Sequence, residues 1–301
     1  MKFSLIGAPL ELGCGTVGCS GAFQFLREHG LLSFFEEHRL PYTESVAFSP
    51  LTERRADETE SPKYLPEVLT ACRATRDAVS ASLAAGEFPL TFGGDHALGL
   101  GTVAGSAEHW SPDELSLVWV DAHTDINTEG SSFSGNIHGM PVAALLGLCR
   151  PELSSLGTHM PKIRPENVHI FFARDIDPPE EEIIKREGVN LYRMETIKKE
   201  GLKKQLELLL SNIRTPYCHV SWDVDSLDSA SFTATGLPIP DGPSAEDVSE
   251  VLAALMGSGK AVALDCVEYN PILDDAAHHG CETVLQILKP AILAVNDCKK
   301  E

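Results

Sequence analysis

Apolar positions in this chain gather in short runs separated by longer stretches with helical spacing. Phe3–Ile6, Phe88–Phe92, Val118–Val120, Val168–Phe172, Tyr217–Trp222 and Ala261–Leu264 are the strongest runs. None alternates cleanly between apolar and polar, which predicts strands buried on both faces rather than half-exposed ones. Weaker strands are expected at Ser45–Phe48 and Val189–Tyr192. Apolar residues at helical spacing fill the intervals at about 22–38, 66–85, 99–108, 142–149, 180–187, 202–213, 245–256 and 282–295. Ser244 followed by Asp247 resembles an N-cap with acids in the first turn.

Strand and helix thus alternate along the whole length, with no low-complexity linker and no detectable repeat. That pattern predicts an α/β fold, a single three-layer α/β/α domain over residues 1–301 with a mostly parallel sheet of about eight strands. In such sheets ligands sit beyond the C-terminal ends of the strands. The loops there deserve the closest reading. Gly13, Gly15, Gly18 and Gly21 make a flexible loop after the first strand, without the compact turn of a dinucleotide fingerprint. Residues 49–62 read as a surface connection, and the Pro- and Gly-rich segment 226–243 as a long irregular loop.

Chemistry concentrates at the strand ends. Asp121, His123 and Asp125 follow Val118–Val120 and would project together if the extended backbone persisted that far. His96 follows a glycine pair after Phe92, Asp223 and Asp225 follow Trp222, and Glu268 follows the last strand. Carboxylates and imidazoles gathered at a buried rim are costly unless a cation sits between them. His96 and His123 with the four carboxylates Asp121, Asp125, Asp223 and Asp225 make six donors, many for one transition metal and suited to two that share bridging carboxylates, about 3.5–4 Å apart. Oxygen-rich sets with some imidazole suit Mn²⁺ better than thiolate sites do, and Zn²⁺, Fe²⁺ and Co²⁺ are also compatible by ligand type. Such a pair lowers the pKa of a bound water, and hydrolysis of a poor electrophile is its natural use.

Composition narrows the partners. The chain is 43% hydrophobic and 23% charged, the mix of a soluble globular protein. Its 24 Lys+Arg against 44 Asp+Glu give a formal net charge of −20, which disfavours nucleic acid and anionic membrane surfaces as partners. A cationic small molecule suits that field better. None of the eight cysteines forms a C-x-x-C pair, so a thiolate zinc site is not expected. The opening residues show neither a signal-peptide core nor a membrane span, so a cytoplasmic protein with reduced thiols is the expectation.

Six stretches occur in a fixed order: Gly-Gly-Asp-His (93–96), Asp-Ala-His-Thr-Asp-Ile-Asn (121–127), Ser-Gly-Asn-Ile-His-Gly (134–139), Arg-Asp-Ile-Asp-Pro (174–178), Asp-Val-Asp-Ser-Leu-Asp (223–228) and Glu-Tyr-Asn-Pro (268–271). In these the chain resembles the arginases of the ureohydrolase family. The resemblance implies two Mn²⁺ per subunit and hydrolysis of L-arginine to L-ornithine and urea, with a homo-oligomer, trimer or hexamer, as the assembly. It implies that His96 and Asp125 serve one metal, that His123 and Asp225 serve the other, and that Asp121 and Asp223 bridge. Asp125 would also orient the attacking oxygen, His138 would shuttle a proton, and Glu268 would hold the guanidinium. Asn127 and Ser134 match residues that face the α-carboxylate, Asp177 matches the acid that reaches the α-ammonium, and Asn136 and Asp175 are supporting partners. Leu237 departs from the pattern, standing where the family usually places a threonine. Two other readings stay open: hydrolysis of agmatine or guanidinobutyrate, and a catalytically idle interaction protein on the same fold.

Overall fold

The computed structural model describes residues 1–55, 58 and 60–298. Its strands are β1 (Phe3–Ala8), β2 (Tyr42–Val46), β3 (Phe88–Gly93), β4 (Leu115–Val120), β5 (Val168–Ala173), β6 (Asn190–Arg193), β7 (Tyr217–Asp223) and β8 (Ala261–Val267). They form one eight-stranded sheet in the order β2-β1-β3-β8-β7-β4-β5-β6. Every pairing is parallel, so the expected "mostly parallel" sheet is parallel throughout. The absence of alternation has the anticipated cause: β3, β4, β5 and β8 are buried at every position. Edge strand β2 is largely exposed instead. It lies at 42–46 rather than at the expected 45–48, because Tyr42 pairs with Phe3 and packs its ring on Phe35.

Helices cover both faces: α1 (Ala22–Leu26), α2 (Leu32–Glu37), α3 (Leu65–Ala84), α4 (Leu98–Ala107), α5 (Pro141–Leu145), α6 (Pro151–Ser154), α7 (Pro178–Glu187), α8 (Met194–Glu200), α9 (Leu202–Asn212), α10 (Ala245–Met256) and α11 (His279–Cys298). One core lies between the sheet and α1, α2, α8, α9, α10 and α11, and includes Phe35, Trp222 and Leu288. The other lies under α3, α4, α5, α6 and α7, and includes Leu100, Trp119 and Ile183. Three expectations change in detail. The single helix expected at 22–38 is interrupted over Arg27–Leu31, where Gly30 adopts φ 127°, a conformation only glycine takes without strain. The helix expected at 142–149 ends at Leu145. Met194–Glu200 was not anticipated as a helix, since only Met194 and Ile197 face the core and two lysines end it.

His169 is a polar group buried in β5, and among the described residues neither of its ring nitrogens has a hydrogen-bond partner. Burial pushes its pKa down from 6.5 to about 4. Between those values the unfolded chain binds a proton that the folded chain does not, so stability is retained above the upper value and lost as pH falls toward the lower. We expect His169→Leu to remove this contribution, shifting the stability difference from wild type by roughly 2 kcal/mol between about pH 7 and 5 in denaturant unfolding. A pH-independent difference would show that His169 is not held neutral.

Candidate active site

Four strands adjacent in the sheet, β3, β8, β7 and β4, end on one rim, and each is followed by acids or imidazoles. After β3 the chain must pass very close to the loop that follows β1. Gly94 N donates to Ala8 O at 3.0 Å and Asp95 N to Leu10 O at 2.9 Å. A Cβ on Gly94 would lie 1.5 Å from Leu10 O, so glycine is required there. The next turn aims His96 into the rim. Its ring stacks on Trp119 at 3.7 Å, and its Nε2 lies 3.0 Å from Ser221 Oγ. Ser221 in turn donates to Asp265 Oδ2 at 3.1 Å. These contacts engage Nε2 and leave Nδ1 facing the carboxylates.

After β4 the backbone does not stay extended. Asp121 Oδ1 accepts the amide of His123 at 2.7 Å, and Asp125 takes a φ of 48°. The three side chains therefore meet through a turn, not through strand alternation. The end of β7 repeats the device: Asp223 Oδ1 accepts Asp225 N at 2.8 Å and starts a short 3₁₀ turn.

Two imidazole-centred clusters result. His96 Nδ1 lies 3.0 Å from Asp121 Oδ2, 3.0 Å from Asp223 Oδ2 and 3.3 Å from Asp125 Oδ2. His123 Nδ1 lies 3.0 Å from Asp225 Oδ2 and 3.4 Å from Asp121 Oδ1. Asp121 thus turns one oxygen to each histidine. All four aspartates are buried, two of them completely or nearly so. Although three carboxylates surround His96 Nδ1, neither that nitrogen nor Asp121 Oδ2 makes a hydrogen bond among the described residues. One N–H cannot serve three acceptors, and buried polar atoms left this way are destabilising.

The electrostatics carry the same message. Burial opposes charge on His96 and His123, yet the surrounding aspartates raise both pKa values well above the ordinary histidine range. Burial and neighbouring carboxylates raise Asp125, Asp223 and Asp225. The cluster thus favours positive charge between its carboxylates, whether from protons or from a cation. An imidazole-and-carboxylate donor set with orphaned Nδ1 and Oδ2 atoms fits divalent cations of the manganese or zinc type. His96, Asp121 and Asp223 could hold one, and Asp121, His123 and Asp225 another.

Beside the clusters opens a cavity of ≈ 280 Å³ whose wall includes His123, Asp125, Asn127, Ser134, His138, Asp175, Asp177, Asp223, Asp225 and Leu237. Asn127 Nδ2 donates to Asp177 Oδ2 at 3.2 Å. Two of the residues singled out from sequence lie elsewhere. Asn136 is not on this wall; its amide group approaches Gly15 instead. Glu268 stands behind the wall, its Oε1 accepting His96 N at 2.9 Å and lying 3.2 Å from His138 Nδ1. Burial opposes charge on His138, but Glu268 prevails and raises its pKa to about 9.

Sequence reasoning missed several supports. Glu180 lines the cavity and accepts from Thr124 Oγ1 (2.7 Å), Ile126 N (3.2 Å) and Asp177 N (2.9 Å), tying the loop after β4 to the start of α7. Its position just after the prolines at 178–179, in a first helical turn, was the available signal. Arg174 donates to the carbonyls of Asp225, Ser226, Leu227, Ile239 and Pro240 and so fixes the irregular loop. The buried Asp265, which accepts from Ser221 and Thr102, had no local signal at all.

The profile of the Arginase family matches residues 1–291. An arginase of Brevibacillus brevis is 36% identical over 275 residues, covering 91% of this chain and 92% of its own. Among solved structures, the native arginase of Bacillus caldovelox superposes with a TM-score of 0.90 at 31% identity, covering 96% of this chain and 97% of that one. Entamoeba histolytica arginase in complex with L-ornithine superposes with a TM-score of 0.89 at 29% identity, covering 97% and 98%. Fold, buried His/Asp clusters and relatives together define a metal-dependent ureohydrolase enzyme. More narrowly, the chain belongs to the arginase family.

Divalent cations should stabilise the folded chain. At a hundred times its dissociation constant, a ligand bound only by the native state adds about 2.7 kcal/mol. Thermal unfolding should therefore shift upward with Mn²⁺ and revert with chelator, and Asp121→Asn should abolish most of the shift. An unchanged shift in that variant would place the cations elsewhere.

Proposed function

We propose that this chain hydrolyses L-arginine to L-ornithine and urea, with two Mn²⁺ held by His96, Asp121, His123, Asp125, Asp223 and Asp225. The observation that carries the reading is the pair of imidazole clusters sharing Asp121, opening onto a cavity walled by Asn127, Ser134 and Asp177. A pair of divalent cations, when bound, supplies a water of lowered pKa and a Lewis acid for the guanidine.

The remaining work falls to side chains. Asp125, whose Oδ2 faces the His96 cluster, accepts a hydrogen bond from the attacking oxygen and orients it. Glu268, buried behind His138 rather than on the cavity wall, offers its negative charge to the guanidinium from there. His138 lies on the cavity wall with Nδ1 toward Glu268 Oε1, so that it can hold a proton and deliver it to the leaving amine. At the far end the Asn127 amide and Ser134 hydroxyl donate to the α-carboxylate, and Asp177 receives the α-ammonium. Asn136 supports this end through its backbone N–H, which donates to Ser134 Oγ at 3.2 Å. The Entamoeba histolytica arginase that this chain resembles is solved in complex with L-ornithine, a molecule with the same α-amino acid end, which supports an amino-acid substrate. The reading includes a cytoplasmic setting, in keeping with eight free cysteines, and a trimeric or hexameric homo-oligomer. No helix among the described residues is long and apolar enough to cross a membrane.

A second reading, hydrolysis of a different guanidino compound, is favoured by two apolar side chains on the cavity wall, Leu237 and the 79% exposed Phe133. A urea-release assay on Mn²⁺-loaded protein separates the readings. L-Arginine should exceed agmatine in kcat/KM by about a hundredfold or more, because a substrate without the carboxylate leaves polar groups unpaired. His123→Asn should lose most of the activity. Preference for agmatine would install the second reading, and no urea from any guanidine would leave the chain an idle member of its family.

A further inference from the structure

The loop joining β1 to α1 was expected to be flexible, yet it packs against the end of β8 and buries two thiols. Cys14 and Cys19 are 4% and 2% exposed. Their Sγ atoms and a carboxylate oxygen of Glu268 all lie within 4.8 Å of one another. Neither thiol has a part in the proposed reaction. Several contacts build the loop into this position. Glu11 Oε2 accepts Gly18 N at 3.0 Å and Ser20 Oγ at 2.6 Å. Arg54 donates to Cys14 O at 3.0 Å and to Thr16 O at 3.2 Å, and Asn270 Nδ2 donates to Val17 O at 2.8 Å.

Cys14 Sγ donates to Thr16 O at 3.0 Å and Cys19 Sγ to Leu10 O at 3.6 Å. The contact with Cys14, and then burial, push the Cys19 thiol well above the ordinary range. Two sulfurs and one carboxylate oxygen form a donor set unlike the one around His96 and His123. Thiolates select softer cations, of which Zn²⁺ and Cd²⁺ are typical, over Mn²⁺.

We propose that Cys14, Cys19 and Glu268 form a site for a soft divalent cation, Zn²⁺ or Cd²⁺, and that filling it shuts off guanidine hydrolysis. On binding, the cation accepts an electron pair from each sulfur and from one Glu268 oxygen. Both S–H bonds break, and the two protons leave to solvent. The charge of the cluster is unchanged, but Glu268 now faces the cation rather than His138 and the substrate. The shut-off rests on the proposed role of Glu268 toward the guanidinium; the cation site itself does not.

The test uses Mn²⁺-loaded protein, a phosphine reductant without thiols, and Cd²⁺ as the probe. We expect one further cadmium per chain by metal analysis, a sulfur-to-cadmium charge-transfer absorption in the ultraviolet, and a fall in urea release of about tenfold or more. Cys14→Ser/Cys19→Ser should lack the absorption and keep its activity in cadmium; its activity in manganese alone reports correct folding, with Cys14→Ser as a second, milder variant. The same absorption in the double variant, or cadmium bound without it, overturns the site. Absorption without loss of activity overturns the shut-off alone. No urea in manganese alone defeats the arginine reading and leaves the absorption to decide the cation site.

Discussion

The rest of the structure depends on an unfavourable arrangement: four aspartates withdrawn from water around two imidazoles. Isolated, such carboxylates would be neutralised by protons or driven apart. Here they are held together because the strands that carry them are neighbours in the sheet, and because the loops after those strands turn inward. Even with both histidines protonated, four carboxylates exceed two imidazolium charges, and the imbalance invites divalent cations. The same imbalance raises the pKa values of both histidines and of Asp125, Asp223 and Asp225, while the two imidazoles hold Asp121 low, so protons on these groups stand in for the charge a metal would bring.

Holding that cluster requires support from outside it. Trp119 gives His96 a flat surface to rest on, and Ser221 engages the nitrogen that is not needed. Glu180 and Arg174, neither beside the clustered atoms of His96, clamp the loops that carry Asn127, Asp177 and Asp225. The cavity therefore has a rigid, acidic inner end and a wall of amides and hydroxyls further out. Its lip is partly apolar, through Phe133 and Leu237. The loop after β4 contributes to both ends, carrying Asp125 at the one and Asn127 and Ser134 at the other.

The fold class was legible because buried parallel strands leave a strong mark: continuous apolar runs at regular intervals, each closed by polar or glycine-rich residues. Edge strand β2 and helix α8 were blurred because their placement is decided by partners distant in sequence, as Tyr42 against Phe35 illustrates. At the site, motif order located the strand-end acids and imidazoles, although the reason offered for Asp121, His123 and Asp125 was wrong in detail. A turn with positive φ at Asp125 brings them together, and no local pattern announces it. Asp265 gave no sign in the sequence, and Arg174, which opens one of the ordered motifs, and Glu180, in a first helical turn, gave no sign of what they hold, for a related reason. Each acts through backbone or side-chain contacts with residues far along the chain, and their types are common in ordinary surface loops.

The central claim is that Asp121 joins two cation sites, one under each histidine. Anomalous diffraction from manganese-loaded crystals addresses it directly. The account predicts two peaks about 3.5–4 Å apart, one beside His96 Nδ1 and one beside His123 Nδ1, with an Asp121 oxygen on each. A single peak, or a pair that Asp121 does not touch, would contradict it.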